Sequence, residues 1–174
     1  DDNFLTVLRN GIQADADKLG IKVQIEDAQN DVAKQLDQIK NFAASGVDAI
    51  VHLAARAHVM SDDPQTSDAL YRRANVHVTE TLARAAMRHG AKRFVYVSSI
   101  KVNGEQTGER PFTPRDTPAP QDAYGRSKRD AERALAEIAR AGAMETVIVR
   151  PPLLYGPRMR GNMLRLFQIV DRGL

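Results

Sequence analysis

Apolar residues recur every three to four positions at Phe4, Leu8, Ile12, Ala16 and Leu19, with Gly20 following, so residues 3–19 read as an amphipathic helix. Lys22-Val23-Gln24-Ile25-Glu26 alternates with the period of a short strand. Asn30 is positioned to cap a second helix that runs to Ser45, carries Val32, Leu36, Ile39 and Phe42 on one face and stops at Gly46. From Val47 to Leu53 the apolar residues are nearly continuous, as in a parallel strand buried on both faces. Residues 66–89 form a long helix closed by Gly90, and Arg93 to Val97 a second buried strand. A loop rich in Gly, Pro and Thr fills 101–122. A helix over 123–141, a strand from Thr146 to Arg150 and an amphipathic helix near 162–172, with Met163, Leu166, Phe167 and Val170, complete the pattern.

Strands alternating with helices predict an α/β fold: a doubly wound parallel sheet, a flavodoxin-like or Rossmann-like three-layer sandwich, in a single domain over 1–174. Ligands are then expected at the carboxyl ends of the strands. Four predicted strands face five helices, and the chain opens on a helix. In the order 2-1-3-4-5 the first strand is central, so its absence predicts that an upstream strand, a second copy or a rearranged pairing fills the slot beside 47–53.

Composition narrows the class. Of 174 residues, 43% are hydrophobic and 27% charged, as in soluble globular domains rather than disordered or collagen-like chains. No apolar run reaches the roughly 18 residues of a membrane span, and Asp1-Asp2-Asn3 lacks the positive flank of a secretory signal, so a soluble, cytoplasmic chain is expected. Without cysteine, disulfides, thiol catalysis and Cys-ligated metals are excluded. The net charge of +3 is unevenly placed: residues 1–50 carry −4 and residues 51–174 carry +7. Seventeen of the 18 arginines and all 8 prolines lie after residue 50, a shift with no folding reason, since Arg and Lys suit surface helices equally. It points to two differently evolved segments joined within one chain.

Tyr124-Gly125-Arg126-Ser127-Lys128 sets a phenol and an ammonium four residues apart, on one face of a helix. A lysine cation beside a tyrosine favours the phenolate and lowers its pKa, giving a general acid/base for a substrate hydroxyl. Ser98-Ser99, ending the preceding strand, offers a hydroxyl for the same oxygen. His52, His58, His77 and His89 show no metal-ligand spacing, so no metal is expected. Arg72, Arg73, Arg84 and Arg88 lie along a helical face without interleaved aromatics, which argues against nucleic acid.

These motifs give residues 51–174 a resemblance to an extended short-chain dehydrogenase/reductase of the NAD-dependent nucleotide-sugar epimerase/dehydratase type. His52-Leu53-Ala54-Ala55 resembles the strand-end segment lining the cofactor, and Ala74-Asn75-Val76-His77-Val78-Thr79 the Asn-Val-x-Gly-Thr helix motif, with Val78 in place of glycine. The segment from Val97 to Gly104 matches the family's serine strand, and Tyr124 and Lys128 its Tyr-xxx-Lys pair, with Ala123 where proline is usual. The segment from Arg150 to Pro157 resembles the stretch flanking nicotinamide and substrate, and Asn162 opens a substrate-side helix. The resemblance implies Ser99, Tyr124 and Lys128 as catalytic residues, Leu53, Ala54, Ala55, Asn75 and Pro152 as cofactor-binding, and Tyr155 and Asn162 on the substrate side. It also implies a homodimer through helices 66–89 and 123–141, strand exchange being a second route; the alternative is that the stripe Leu70, Ala74, Val78, Leu82 and Ala85 covers the sheet.

The same family cradles its pyrophosphate on a glycine-rich turn, and no G-x-G-x-x-G or G-x-x-G-x-x-G occurs among the eleven glycines. Residues 1–50 instead resemble the start of a periplasmic sugar-binding protein of the ribose-binding type, at Asp2 to Gly11 and Gly46 to Ile50, with Phe4 matching a sugar-stacking aromatic. Together these features predict an engineered chimeric α/β scaffold, joined near 47–53, with no intact active site, no turnover, no cofactor, and neither nucleic acid nor membrane as partner. The alternative is an NAD(P)-dependent nucleotide-sugar epimerase or dehydratase, and a third reading is a sugar-binding module.

Overall fold

The computed structural model describes residues 2–29, 31–57, 64–153 and 162–172. The chain divides into two compact units, Asp1–Gln38 and Ile39–Leu174. Helices α1 (Asp2–Leu19) and α2 (Val32–Ala44) come first, then strand β1 (Ala49–His52) and helix α3 (Pro64–Tyr71), which runs through a π-helical segment (Arg72–His77) into α4 (Val78–Arg88). Strand β2 (Arg93–Val97), a 3-10 turn (Ile100–Val102), helix α5 (Ala123–Ala141), strand β3 (Glu145–Val149) and helix α6 (Asn162–Asp171) follow.

In the first unit the stretch 21–28 forms no strand, contrary to the alternation at Lys22 to Glu26. Period-2 patterning selects a face, yet a strand also needs a hydrogen-bonded neighbour, and the described sheet gives this stretch none. The second helix is capped by Asp31, whose carboxylate accepts from the backbone N–H of Ala33 at 2.8 Å and of Lys34 at 3.1 Å. Asn30 itself lies outside the described residues.

In the second unit three parallel strands stand in the order β1-β2-β3, Ala49 beside Arg93 and Phe94 beside Thr146. This parallel sheet with its helices is Rossmann-like, as the alternation predicts. Gly46 and Gly90 end α2 and α4 at φ +70° and +86°, in the left-handed region that only glycine adopts freely. On one face of the sheet Ile50, His52, Phe94 and Tyr96 of β1 and β2 are buried, while Ile148 of β3 on the same face is exposed. On the opposite face Val51 stays 56% exposed, so the continuous apolar run at 47–53 does not mark a strand buried on both faces here. Helix α5 packs against α3, the π-helical segment, α4 and β3. Its Ala131, Leu135 and Ile138 are buried, as are Leu82, Ala83, Ala85 and Ala86 of α4.

The long predicted helix at 66–89 is one helical run, but the π-helical segment rotates its second half. The residues that end up buried are Tyr71, Asn75, Val76, Thr79, Leu82, Ala83, Ala85 and Ala86, while Leu70 is exposed and Ala74 and Val78 are half-buried. The stripe from Leu70 therefore departs from the inner face at Leu70, Ala74 and Val78 and rejoins it at Leu82 and Ala85. No described helix is long and apolar enough to cross a membrane.

Leu135 has no exposed surface, so Leu135→Ala is expected to cost about 2–5 kcal/mol in urea denaturation, whereas truncating the exposed Val51 is expected to cost far less.

Candidate functional site

Because the three strands are parallel, their carboxyl ends share one edge of the sheet, and the candidate residues gather there. Ser99 follows β2 and caps the 3-10 turn, its hydroxyl accepting from the Lys101 N–H at 3.2 Å. The Ser99 side chain is the polar group that favours the ionised form of the Tyr124 phenol. Tyr124 sits in the first turn of α5, which starts where it does because Asp122 accepts from the Gly125 N–H at 2.6 Å. Asp122 also takes the Lys101 ammonium at 2.8 Å, tying the start of α5 to the turn after β2.

Gly125 is what lets these two segments approach. A Cβ at this position would lie 2.9 Å from the Lys101 carbonyl oxygen and 3.0 Å from Pro120, and the carbonyl belongs to backbone that cannot swing aside. The glycine inside Tyr124-Gly125-Arg126-Ser127-Lys128 is thus part of how the tyrosine reaches the serine.

Lys128 is 1% exposed. Its ammonium donates to the Val97 carbonyl at 2.9 Å, and it lies 4.6 Å from the Tyr96 ring centroid and 5.8 Å from that of Tyr124. Desolvation pulls Lys128 down to about 8, with the Glu132 charge opposing that shift. Burial also pushes the Tyr124 phenol above its ordinary value, and the Ser99 side chain offsets this only in part. The expectation that Lys128 brings the phenol toward neutrality is therefore corrected: in the free chain burial is the largest influence on Tyr124, the opposing charge comes from Lys101, and the phenol keeps its proton.

Asn75 is as deeply buried as Lys128, and its amide is fully used. It accepts from the Arg56 N–H at 2.7 Å, donates to the Arg56 carbonyl at 3.0 Å and donates to Ser127 Oγ at 2.9 Å, and Ser127 in turn donates to the Tyr124 carbonyl at 2.7 Å. The π-helical segment that carries it aims this amide at the backbone after β1, a use of π geometry common at functional sites. Asn75 thus fixes the loop holding Leu53, Ala54 and Ala55, all exposed, against the helix holding Tyr124. Pro152 is exposed next to Pro151, whose carbonyl accepts from the Ile100 N–H at 3.0 Å beside Ser99. Asn162 begins α6, its side chain outside the described residues, as is all of Tyr155.

Residues that the motifs did not single out complete the arrangement. Glu132, one turn beyond Lys128, accepts from the Ser98 hydroxyl at 2.5 Å and from Arg150 Nε at 2.9 Å and Nη2 at 2.5 Å. Arg150 Nη1 also donates to Asn103 at 3.1 Å. The i, i+4 spacing from Lys128 was the available signal. Asn103 and Arg150 also line a cavity of about 410 Å³ with Ile100, Phe112, Thr113, Pro114 and Ile148. Below Lys128, His52 pairs with Thr79 at 3.2 Å and lies 5.9 Å from the Phe94 and Tyr96 rings. Among the described residues no group of three His, Cys, Asp or Glu could hold a metal.

Residues 6–170 match the NAD dependent epimerase/dehydratase family. The chain belongs to that family. It is 46% identical over 126 residues to a UDP-glucose 4-epimerase of Vibrio cholerae, covering 72% of this chain and 38% of that protein. A short-chain dehydrogenase/reductase superfamily protein of Agrobacterium tumefaciens, solved with bound NAD, is similar at 30% identity and TM-score 0.62, over 81% of this chain and 44% of that one. A 52-residue stretch is 62% identical to a putative rhizopine-binding protein of Rhizobium meliloti, covering 29% of this chain and 17% of that protein. The chain spans well under half the length of the epimerase it matches.

Membership of the epimerase/dehydratase family across 6–170 corrects the reading of an engineered scaffold without turnover, and favours its alternative. That reading leaned on a missing glycine-rich turn. A motif absent from a chain that spans 38% of an epimerase does not remove the site at the strand ends, where Ser99, Tyr124 and Lys128 are in register. The expected lack of a cofactor finds no support in these likenesses.

Two outcomes are expected. Gly125→Ala should cost about 1–3 kcal/mol in denaturant unfolding, because the added methyl meets a fixed carbonyl. His52, held by burial at about 4 against an ordinary 6.5, stays neutral in the folded chain while the unfolded chain takes up a proton. The His52 contribution is therefore complete above pH 6.5, falls by about 3 kcal/mol as the pH drops toward 4, and changes no further below that. Unfolding of His52→Gln, followed over the same pH range, should lack most of that slope.

Proposed function

We propose that the chain carries the catalytic part of an NAD-dependent epimerase or dehydratase acting on a nucleoside-diphosphate sugar. The observation that carries this reading is a buried lysine ammonium 5.8 Å from the Tyr124 ring, held by the Val97 carbonyl at 2.9 Å beside the Ser98-Ser99 strand end. Family membership and the likeness to a UDP-glucose 4-epimerase support the reaction and substrate classes.

In this reading Tyr124 is the general acid/base for a sugar hydroxyl, Ser99 hydrogen-bonds the same oxygen, and Lys128 supplies fixed positive charge. Tyr124 starts protonated, so it first donates a hydrogen bond to the substrate oxygen; accepting the substrate proton requires further positive charge at the phenol. Lys128, near 8, remains largely cationic at neutral pH. NAD, when bound, supplies the hydride-accepting ring and its charge. The residues fit its nicotinamide end: Lys128, Tyr124 and the exposed Leu53, Ala54, Ala55 and Pro152 border one edge of the sheet, with small side chains leaving room. The eleven glycines supply no phosphate-cradling turn, so nothing here is assigned to the diphosphate.

Half-exposed Leu70, Ala74 and Val78 support a homodimer through the helices over 66–89 and 123–141. A related ancestry for residues 1–50 and a sugar-binding protein is supported by the 62% identity over 52 residues and by the change in arginine and proline usage after residue 50.

Turnover of UDP-glucose with NAD, followed by product analysis, tests the assignment. Tyr124→Phe is expected to lower kcat by about 100-fold or more while calorimetric NAD binding persists. Equal activity of Tyr124→Phe and the unaltered chain would contradict it.

A further inference from the structure

Of the groups buried near the strand ends, Glu132 stands out because three hydrogen bonds from two partners converge on it, and neither partner belongs to the Ser/Tyr/Lys set. It is 6% exposed, and an ionised carboxylate so placed is strongly unfavourable unless paired. Arg150 grips both its oxygens with Nε and Nη2, the fork that suits a carboxylate, and Ser98 donates to Oε1. Those two partners come from the ends of β3 and β2, so the carboxylate is held against the sheet rather than free to follow its own helix.

Glu132 also lies four residues beyond Lys128 on α5, one turn away on the same face. The groups facing Lys128 are few: Tyr124 and Glu132 from its own helix, the Tyr96 ring and Val97 carbonyl from β2, and His52 from β1. Only Glu132 among them carries negative charge at neutral pH. The buried Lys128 and the half-buried Arg150 are thus two cations that share one anion.

We propose that Glu132, clamped by Arg150 and Ser98, is a positioning residue that orients and charge-compensates the Lys128 ammonium. Lys128 gains a fixed counter-charge that does not compete for its hydrogen bond to Val97, and Arg150 limits how much of that charge Lys128 receives. The link to catalysis rests on the reading of Lys128 as the cation of the site; the test below does not, since it uses neither NAD nor a sugar.

The test is an NMR titration of carbon-labelled lysine side chains in the full chain, with the Lys128 resonance assigned by its loss in Lys128→Arg. Glu132→Gln keeps volume and an acceptor for Ser98, and is expected to move the Lys128 midpoint down by about one unit, a tenfold change in its acid dissociation constant. Arg150→Met is expected to move it up, because the carboxylate is then left to Lys128 alone. A purely structural clamp predicts that both variants lose stability and leave the Lys128 midpoint where it was; that result overturns the proposal. If Glu132→Gln does not fold, Glu132→Asp, which withdraws the carboxylate by one methylene, is expected to lower the midpoint in the same direction. Failure of both variants to fold assigns Glu132 to the clamp alone and equally overturns it. Loss of turnover with an altered Lys128 midpoint supports both proposals, whereas an altered midpoint in a chain that turns over no nucleotide sugar separates this one from the functional reading.

Discussion

The interaction on which the site depends is the burial of one ammonium group at the carboxyl end of a parallel sheet. Lys128 gives up hydration and receives in exchange a carbonyl at 2.9 Å, an aromatic face at 4.6 Å and the charge of Glu132. Desolvation is the larger effect, which is why the group lies near 8. Each neighbour is then constrained in turn. Tyr96 and His52 are held neutral by the same dryness, and the Glu132 carboxylate is gripped by Arg150 beside them.

Three backbone devices bring the reacting groups within reach of that cation. The Asp122 cap fixes where α5 begins, Gly125 lets its first turn approach the Lys101 carbonyl, and Asn75 ties the loop after β1 to Ser127. None of these residues is itself a proton-transfer group. They join separate loops by a few short hydrogen bonds, and such pre-organisation is what the proposed role of Tyr124 as a general acid requires.

Much of this is legible in the sequence. Strand β2, helix α5, the alternation of elements and the Ser99, Tyr124, Lys128 set follow from period, caps and motif order. The strand expected at 22–26 does not form, because alternation reports a face and not a pairing partner. The stripe from Leu70 departs from the inner face at Leu70, Ala74 and Val78 because a π-helical segment changes the angular period, which no count of apolar residues reveals. Asn75 was recognised as a cofactor residue by motif, but its amide is spent on Arg56 and Ser127, long-range bonds invisible along the chain. The tyrosine's protonation was misjudged for a related reason: the lysine's proximity is a matter of spacing, whereas the desolvation that opposes it is a property of the folded core. A missing glycine-rich turn carried too much weight against a site whose other members were present.

The claim that dryness rules the charge states at this edge of the sheet is tested most directly by an ultraviolet difference titration of phenolate formation. The chain has four tyrosines and no tryptophan, so subtracting the Tyr124→Phe profile isolates Tyr124. The account predicts that Tyr124 in the ligand-free chain ionises above the ordinary tyrosine value of about 10. Phenolate appearing near neutral pH without any ligand would show that the lysine's charge outweighs burial, and would contradict it.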